Sequence, residues 1–163
     1  MNAKPQTTDI LQANKDYFDS IANTGGYDES PFVEQVSRQI ANAIKDEYDF
    51  DEDRTAMLDY ACGTGASQIR SDRLMSLCQM PPLGQMSRLL APYTHEIIGV
   101  DISQGMVDYY NQRVHNQGIP PQEMRAVCAE LTGTDADLDG KKFDIIVVSQ
   151  ALQSKFNPLN DDP

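Results

Sequence analysis

Two carboxylates and two glycines carry the clearest chemical signal in this 163-residue sequence. Asp59 ends a short apolar run, and the turn that follows it contains Gly63 and Gly65. Because glycine has no Cβ and tolerates a positive φ, such a turn lets the backbone approach a ligand closely. A second apolar run, 97–100, ends in Asp101, where nucleotide-binding α/β proteins hold a ribose. The pattern therefore predicts a nucleotide-type cofactor between two strand ends.

Three longer motifs make this pattern more specific. They are Asp59-Tyr60-Ala61-Cys62-Gly63-Thr64-Gly65, Gly99-Val100-Asp101-Ile102-Ser103 and Phe143-Asp144-Ile145-Ile146-Val147-Val148. With them the chain resembles the class I S-adenosylmethionine-dependent methyltransferases, from about Tyr17 to Gln150. The resemblance implies a Rossmann-like, three-layer α/β fold and methyl transfer from S-adenosylmethionine to a small-molecule acceptor. One departure is Ala61, where many members of the family have glycine.

The resemblance also implies which residues contact S-adenosylmethionine. The glycine turn would hold the methionine part, Asp101 would bind both ribose hydroxyls, and Glu130 would accept a hydrogen bond from the adenine amino group. The whole implied set is Asp59, Ala61, Gly63, Thr64, Gly65, Asp101, Ile102, Met106, Glu130, Ser149 and, from an N-terminal helix, Tyr17. Because the cofactor carries the reactive group, the reaction needs no nucleophile on the enzyme, and we assign no catalytic residue.

Composition disfavours several other classes of protein. The formal charge of −12 and the pI near 4.3 argue against nucleic-acid binding, which needs clustered cations. No apolar run is long enough for a membrane span, and the N-terminus lacks a secretory signal. Three irregularly spaced cysteines indicate reduced thiols and a cytoplasmic location, and two isolated histidines do not suggest a metal site.

Hydrophobic periodicity predicts the elements that position these residues. Helices are expected over 9–23, after Ser30-Pro31 and after Ser103; strands are expected over 55–61, 96–100, 124–129 and 143–148. Alternating strands and helices indicate a parallel sheet with right-handed crossovers. The resemblance implies that this sheet is incomplete, with four strands in the order 3-2-1-4. We expect an N-terminal helical cap over 1–54, a cofactor-binding domain over 55–150 and an irregular tail over 151–163.

The spacing between the two cofactor landmarks is unusually long. Gly65 and Asp101 are 36 positions apart, whereas about 20 is usual in nucleotide-binding βαβ units. The excess lies in 66–86, which contains Pro81-Pro82 and so cannot be one continuous helix. It is either a natural surface insertion or a retained intron. We favour the intron, because the family pattern reads continuously when the segment is removed.

Two alternative functions remain at this stage. Members of the family continue after the fourth strand with three more strands and with loops that bind the acceptor, so the chain would be a truncated, inactive S-adenosylmethionine-binding remnant. The second alternative is a nicotinamide-dinucleotide-binding Rossmann protein. It is disfavoured because Gln68 stands where the third glycine of G-x-G-x-x-G belongs.

Overall fold

The computed structural model of the protein describes residues 7–22, 31–63 and 85–148. The helices in these ranges are α1 (Thr7–Ala22), α2 (Pro31–Glu47), α3 (Gln85–Leu90) and α4 (Gln104–Asn116), with short 3₁₀ turns at Ala91–Tyr93 and Asp137–Gly140. The strands are β1 (Ala56–Tyr60), β2 (Glu96–Asp101), β3 (Met124–Cys128) and β4 (Ile145–Val148). Each predicted helix and strand is present, with boundaries that differ from the expected ones by up to two residues.

The four strands form one parallel sheet in the order β3-β2-β1-β4, which confirms the predicted topology. Leu58 of β1 lies opposite Ile98 of β2 on one side and opposite Ile146 of β4 on the other. Because β1 and β2 are adjacent and parallel, their carboxyl ends, Tyr60 and Asp101, reach the same edge of the sheet. This edge is where ligands bind in open α/β sheets.

One face of the sheet holds the larger core. Met57, Ile97 and Met124 project from three neighbouring strands and are fully buried against Leu90 of α3 and Tyr110 of α4. Burying large side chains of this kind contributes roughly 1.5–3 kcal/mol each relative to leaving them exposed. The core fixes α3 and α4 against the sheet, and these two helices carry groups that reach the edge formed by the carboxyl ends of β1 and β2.

The opposite face is covered less completely in the described part of the chain. Leu58, Ile98 and Val100 are buried there, beneath the segment that contains Leu138. On this face, alternate side chains of β4 are exposed to solvent although the strand is apolar. Ile146 is 60% exposed and Val148 is 59% exposed.

β3 borders the sheet among the described strands, and Asn111 of α4 satisfies the outward-facing backbone groups of Ala126. The Asn111 amide nitrogen donates to the Ala126 carbonyl oxygen at 3.0 Å, and its oxygen accepts from the Ala126 N–H at 2.8 Å. Unpaired backbone groups at a strand edge invite association with another chain. The side chain of Asn111 takes the place of a pairing strand at this position.

The end of the predicted insertion overlaps a helix. Its last two residues, Gln85 and Met86, belong to α3, and Met86 is a buried core residue. Residues 66–84 and the expected tail, 151–163, lie outside the described residues, so the nature of the insertion stays a prediction. No helix in the described ranges is long and apolar enough to cross a membrane, and no metal-binding cluster occurs in them.

Candidate functional site at the carboxyl edge of the sheet

Asp59 lies inside the protein, one residue before the end of β1. Its side chain is fully buried and accepts a hydrogen bond from the hydroxyl of Ser87, which is also fully buried. Burying an ionised carboxylate is costly unless hydrogen bonds compensate for the lost water. The contact joins α3 to the end of β1, so the helix that follows residues 64–84 is fixed to the strand that precedes them.

The turn after β1 has the backbone conformation that a close ligand approach requires. Ala61 and Gly63 both have positive φ, +59° and +57°, a region that glycine adopts freely and alanine only with strain. The turn is held to the neighbouring strand by Cys62, whose N–H donates to the Val100 carbonyl oxygen at 3.1 Å. A Cβ on Gly99 would lie 2.8 Å from the Cys62 sulfur, so this close approach requires glycine in β2.

Asp101 connects the two strand ends. Its Oδ2 accepts the N–H of Gly63 at 2.8 Å, and its Oδ1 accepts the N–H of Ser103 at 3.0 Å. The side chain is partly exposed, and a carboxylate has about four lone-pair positions, so it can accept further donors. Burial raises the pKa of Asp101 above its usual value, although these N–H groups act in the opposite direction.

The first turn of α4 is closed by two side chains, one of them from another helix. Ser103 is the N-cap, and its hydroxyl oxygen accepts the N–H of Met106 at 3.1 Å, as predicted for a helix that begins after Ser103. Asp19 of α1 accepts both the Ser103 hydroxyl, at 2.5 Å, and the Gly105 N–H, at 3.0 Å. The hydrogen bonds from Ser103 and then from Gly105 lower the pKa of Asp19.

The remaining predicted site residues fall into different positions along this edge. Ile102 is partly buried in the turn after β2, and Met106 is buried in α4. Glu130 is exposed and follows Ala129, whose N–H donates to the Asp101 carbonyl oxygen at 3.0 Å, so the ends of β2 and β3 are adjacent. Tyr17 is 56% exposed on α1. Thr64, Gly65 and Ser149 lie outside the described residues.

Two residues that the sequence reasoning did not select are part of this site. Asp19 reaches Ser103 across 84 positions, and Ser87 reaches Asp59 across 28. A local motif signals neither contact, because both depend on how α1 and α3 pack. Only Ser87 offered a hint, since the family-like pattern resumes there after the long segment.

The buried thiol and phenol near the turn are not poised for reaction. Burial raises the pKa of Cys62 well above its usual value, and the neighbouring carboxylates Asp59 and Asp101 raise it further. Burial has the same effect on the pKa of Tyr110. Cys62 is therefore a protonated packing residue.

Comparisons with known proteins agree with this geometry. Residues 83–160 match a family model described as a methyltransferase domain, and the match begins just after Pro81-Pro82. An uncharacterized methyltransferase from Schizosaccharomyces pombe is 34% identical over 118 residues, which are 64% of this chain and 34% of the relative. The chain thus spans about a third of the length of that relative.

Solved structures show the same fold. Magnesium protoporphyrin IX methyltransferase from Synechocystis, with bound S-adenosylmethionine, has a TM-score of 0.57 at 17% identity, covering 91% of this chain and 64% of its own. Phosphoethanolamine N-methyltransferase 1 from Haemonchus contortus, in complex with phosphoethanolamine and S-adenosylhomocysteine, has a TM-score of 0.57 at 11% identity, covering 88% of this chain and 26% of its own. At 17% and 11% identity these two structures show the fold of this chain, a Rossmann-like α/β fold shared with methyltransferases.

Proposed function

We propose that the protein uses S-adenosylmethionine to methylate a small-molecule acceptor in the cytoplasm. One contact carries the proposal: the Gly63 N–H donates to Asp101 Oδ2 at 2.8 Å. It brings the positive-φ turn after β1 and the acid at the end of β2 together at one edge of the sheet. These are the two groups that a nucleoside cofactor needs, a turn that allows close backbone approach and an acceptor for the ribose hydroxyls.

The residues of this edge fit such a cofactor chemically. Asp101 is partly exposed and keeps acceptor capacity after binding the N–H groups of Gly63 and Ser103. The nearby carboxylates of Asp19 and Asp59 give the edge a negative character that suits a cationic sulfonium. S-adenosylmethionine would supply the activated methyl group.

Each residue then has a defined role around the cofactor. Asp101 accepts the ribose hydroxyls, and Glu130 accepts the adenine amino group from the adjacent strand end. Ile102 and Met106 form the apolar side of the adenine site, and the backbone at Gly63 approaches the methionine part. Thr64, Gly65, Ser149 and Tyr17 complete the proposed set. The protein contributes binding, orientation and exclusion of water, and positioning of this kind can supply roughly 7–11 kcal/mol of barrier reduction.

A second candidate is cofactor binding without methyl transfer by the 163-residue chain. The exposure of Ile146 and Val148 supports it, because the face of the sheet beside β4 is open in the described residues. Methyl transfer depends on a dry, shaped site, and the described residues do not cover this face of the sheet.

One experiment separates the two candidates. The chain is incubated with S-adenosylmethionine labelled in the methyl group and with pooled small-molecule extracts, and Asp101→Ala serves as the matched control. Methyl transfer predicts a labelled product that the control does not form. Binding of S-adenosylhomocysteine with no labelled product in any pool would support the second candidate, and absence of both would contradict the proposal.

A further inference from the structure

Helix α1 is attached to the cofactor edge through one carboxylate. Asp19 Oδ1 accepts the Ser103 hydroxyl at 2.5 Å and the Gly105 N–H at 3.0 Å. The first N–H groups of a helix have no partner within that helix and favour a negative charge. Asp19 therefore completes the N-terminus of α4 from a different element, 84 positions away in the sequence.

Ser103 transmits this contact to the proposed ribose acid. It is fully buried, and its hydroxyl donates to Asp19 while its backbone N–H donates to Asp101 Oδ1 at 3.0 Å. Asp101 in turn accepts the Gly63 N–H through its other oxygen. An unbroken series of hydrogen bonds thus runs from α1 to the turn after β1.

The packing of α1 on α4 depends on a glycine at the same place. A Cβ on Gly105 would lie 2.9 Å from the Cβ of Ala22, a distance at which the helices must move apart, and 3.4 Å from Asp19 Oδ1. The φ of Gly105 is not in the left-handed region, so the backbone does not require glycine here. The residue is needed because α1 passes close to α4.

We propose that Asp19 is a positioning residue of the cofactor site, which couples the docking of α1 to the orientation of Asp101 through Ser103. The inference rests on the proposed function only in assigning a cofactor to this edge, because the coupling itself lies between groups of the protein. The hydrogen bonds link Asp19 to Asp101 and then to Gly63 through Ser103. The charge of Asp19 also acts on Asp101 through space, and Asp19→Asn, which removes the charge but keeps an acceptor oxygen, separates the two effects.

Four variants test the coupling. Asp19→Ala removes the acceptor, whereas Asp19→Asn keeps an oxygen that accepts the same two donors. Gly105→Ala forces α1 away from α4, and the double variant Gly105→Ala/Ala22→Gly restores the space between them. Gln12→Ala is the matched control, because Gln12 is exposed on α1 and donates to Asp16 of the same helix.

Two readouts distinguish positioning from simple stabilisation. The first is the dissociation constant of S-adenosylhomocysteine, measured by calorimetry at a temperature where every variant is folded. The second is hydrogen exchange of the Gly63 amide, which lies 44 positions from Asp19 and bonds only to Asp101 in this network. A merely structural role for Asp19 would lower the melting temperature without moving either readout in the folded protein.

The proposal predicts that Asp19→Ala and Gly105→Ala each weaken binding by roughly three- to thirtyfold, the range expected for coupling through packed networks. Both should also speed exchange at Gly63. Asp19→Asn, the double variant and Gln12→Ala should stay close to the original protein. Unchanged affinity and unchanged exchange in Asp19→Ala would overturn the proposal, as would failure of Ala22→Gly to rescue Gly105→Ala. If the original protein bound no S-adenosylhomocysteine, the proposed function would fail, and exchange at Gly63 would still decide the coupling.

Discussion

Replacement of Asp101 should reduce cofactor affinity more than any other single change at the sheet edge. The Gly63 and Ser103 N–H groups, at 2.8 and 3.0 Å, hold the carboxylate in place before any ligand arrives. Asp101→Ala removes two hydrogen bonds to the ribose hydroxyls, worth roughly 1.5–3 kcal/mol each when one partner is charged. Even if solvent exposure halves the lower end of this range, about 1.5 kcal/mol remains, so the dissociation constant should rise at least about tenfold.

A second variant separates this loss of affinity from a loss of stability. Asp101→Ala also leaves two backbone N–H groups without an acceptor, which costs roughly 1–3 kcal/mol for each buried group. Asp101→Asn keeps the shape and one acceptor oxygen. Melting temperatures are measured first, and S-adenosylhomocysteine is then titrated calorimetrically where all three proteins are folded. We expect the dissociation constant to increase from the original protein to Asn and then to Ala.

The pH dependence of affinity provides an independent check. Burial and the charge of Asp19 raise the pKa of Asp101 above 3.8, against the opposing effect of the bound N–H groups. The ionised form accepts hydroxyl donors better, so affinity should be full above this raised pKa and should be lost as the pH falls through it. Asp101→Asn should show no such loss. A folded Asp101→Ala protein that binds S-adenosylhomocysteine with unchanged affinity would refute the ribose assignment.

Three further predictions concern the turn after β1, its contact with β2 and the amino end of β2. Ala61→Gly should raise the free energy of unfolding by about 0.5–1 kcal/mol in denaturant titrations. The change relieves the strain of a positive φ in the folded protein, and this gain exceeds the loss from greater freedom of the unfolded chain. A lower free energy of unfolding would contradict strain in the turn. Gly99→Ala should lower both the melting temperature and cofactor affinity, since its Cβ collides with Cys62; normal values of both would disprove that contact. Burial raises the pKa of Glu96, but the hydrogen bonds that Lys141 and Arg125 donate to its carboxylate outweigh this effect and lower the pKa. The stabilisation from these ion pairs should therefore be present above pH 4.5 and lost as the pH falls through the lowered pKa of Glu96. Glu96→Gln should lower the free energy of unfolding by about 1–2 kcal/mol at neutral pH and should not show this loss at low pH. Identical curves of stability against pH for the two proteins would refute the prediction.

The sheet was predictable because its signals are local. The apolar runs that contain Leu58, Ile98 and Val147 are short and are separated by helical segments, and this alternation with right-handed crossovers leaves few possible topologies. Ser103 was likewise recognisable as a helix N-cap from residue type alone. The parallel sheet and the start of α4 could therefore be predicted from local signals, whereas the order β3-β2-β1-β4 was implied by the family resemblance.

The contacts that complete the candidate site were not predictable in the same way. Asp19 reaches Ser103, and Ser87 reaches Asp59, only because whole helices pack against the sheet edge. The start of α3 at Gln85, within the predicted insertion, was not predicted for a related reason. Met86 belongs to α3 because its side chain fills the core, and sequence periodicity over six residues is too short to reveal such a helix.

The backbone strain at Ala61 was also beyond the reach of the sequence. The family pattern marks the position as one where glycine is common, and the structure shows the reason, a φ of +59°. An alanine there keeps the turn at a cost in conformational energy of roughly 1–2 kcal/mol. The close packing of Cys62 on Gly99 helps to hold the turn in this strained conformation.

Separate calorimetric titrations with two cofactors test most directly the central claim, that this edge of the sheet binds S-adenosylmethionine. S-adenosylhomocysteine and reduced nicotinamide adenine dinucleotide are titrated separately into the folded chain, and Asp101→Ala is the control in both titrations. We predict one S-adenosylhomocysteine bound per chain, weakened at least about tenfold in the control, and no measurable binding of the dinucleotide. A folded chain that does not bind S-adenosylhomocysteine, or that binds the dinucleotide more tightly than S-adenosylhomocysteine, would contradict the assignment of this edge as an S-adenosylmethionine site.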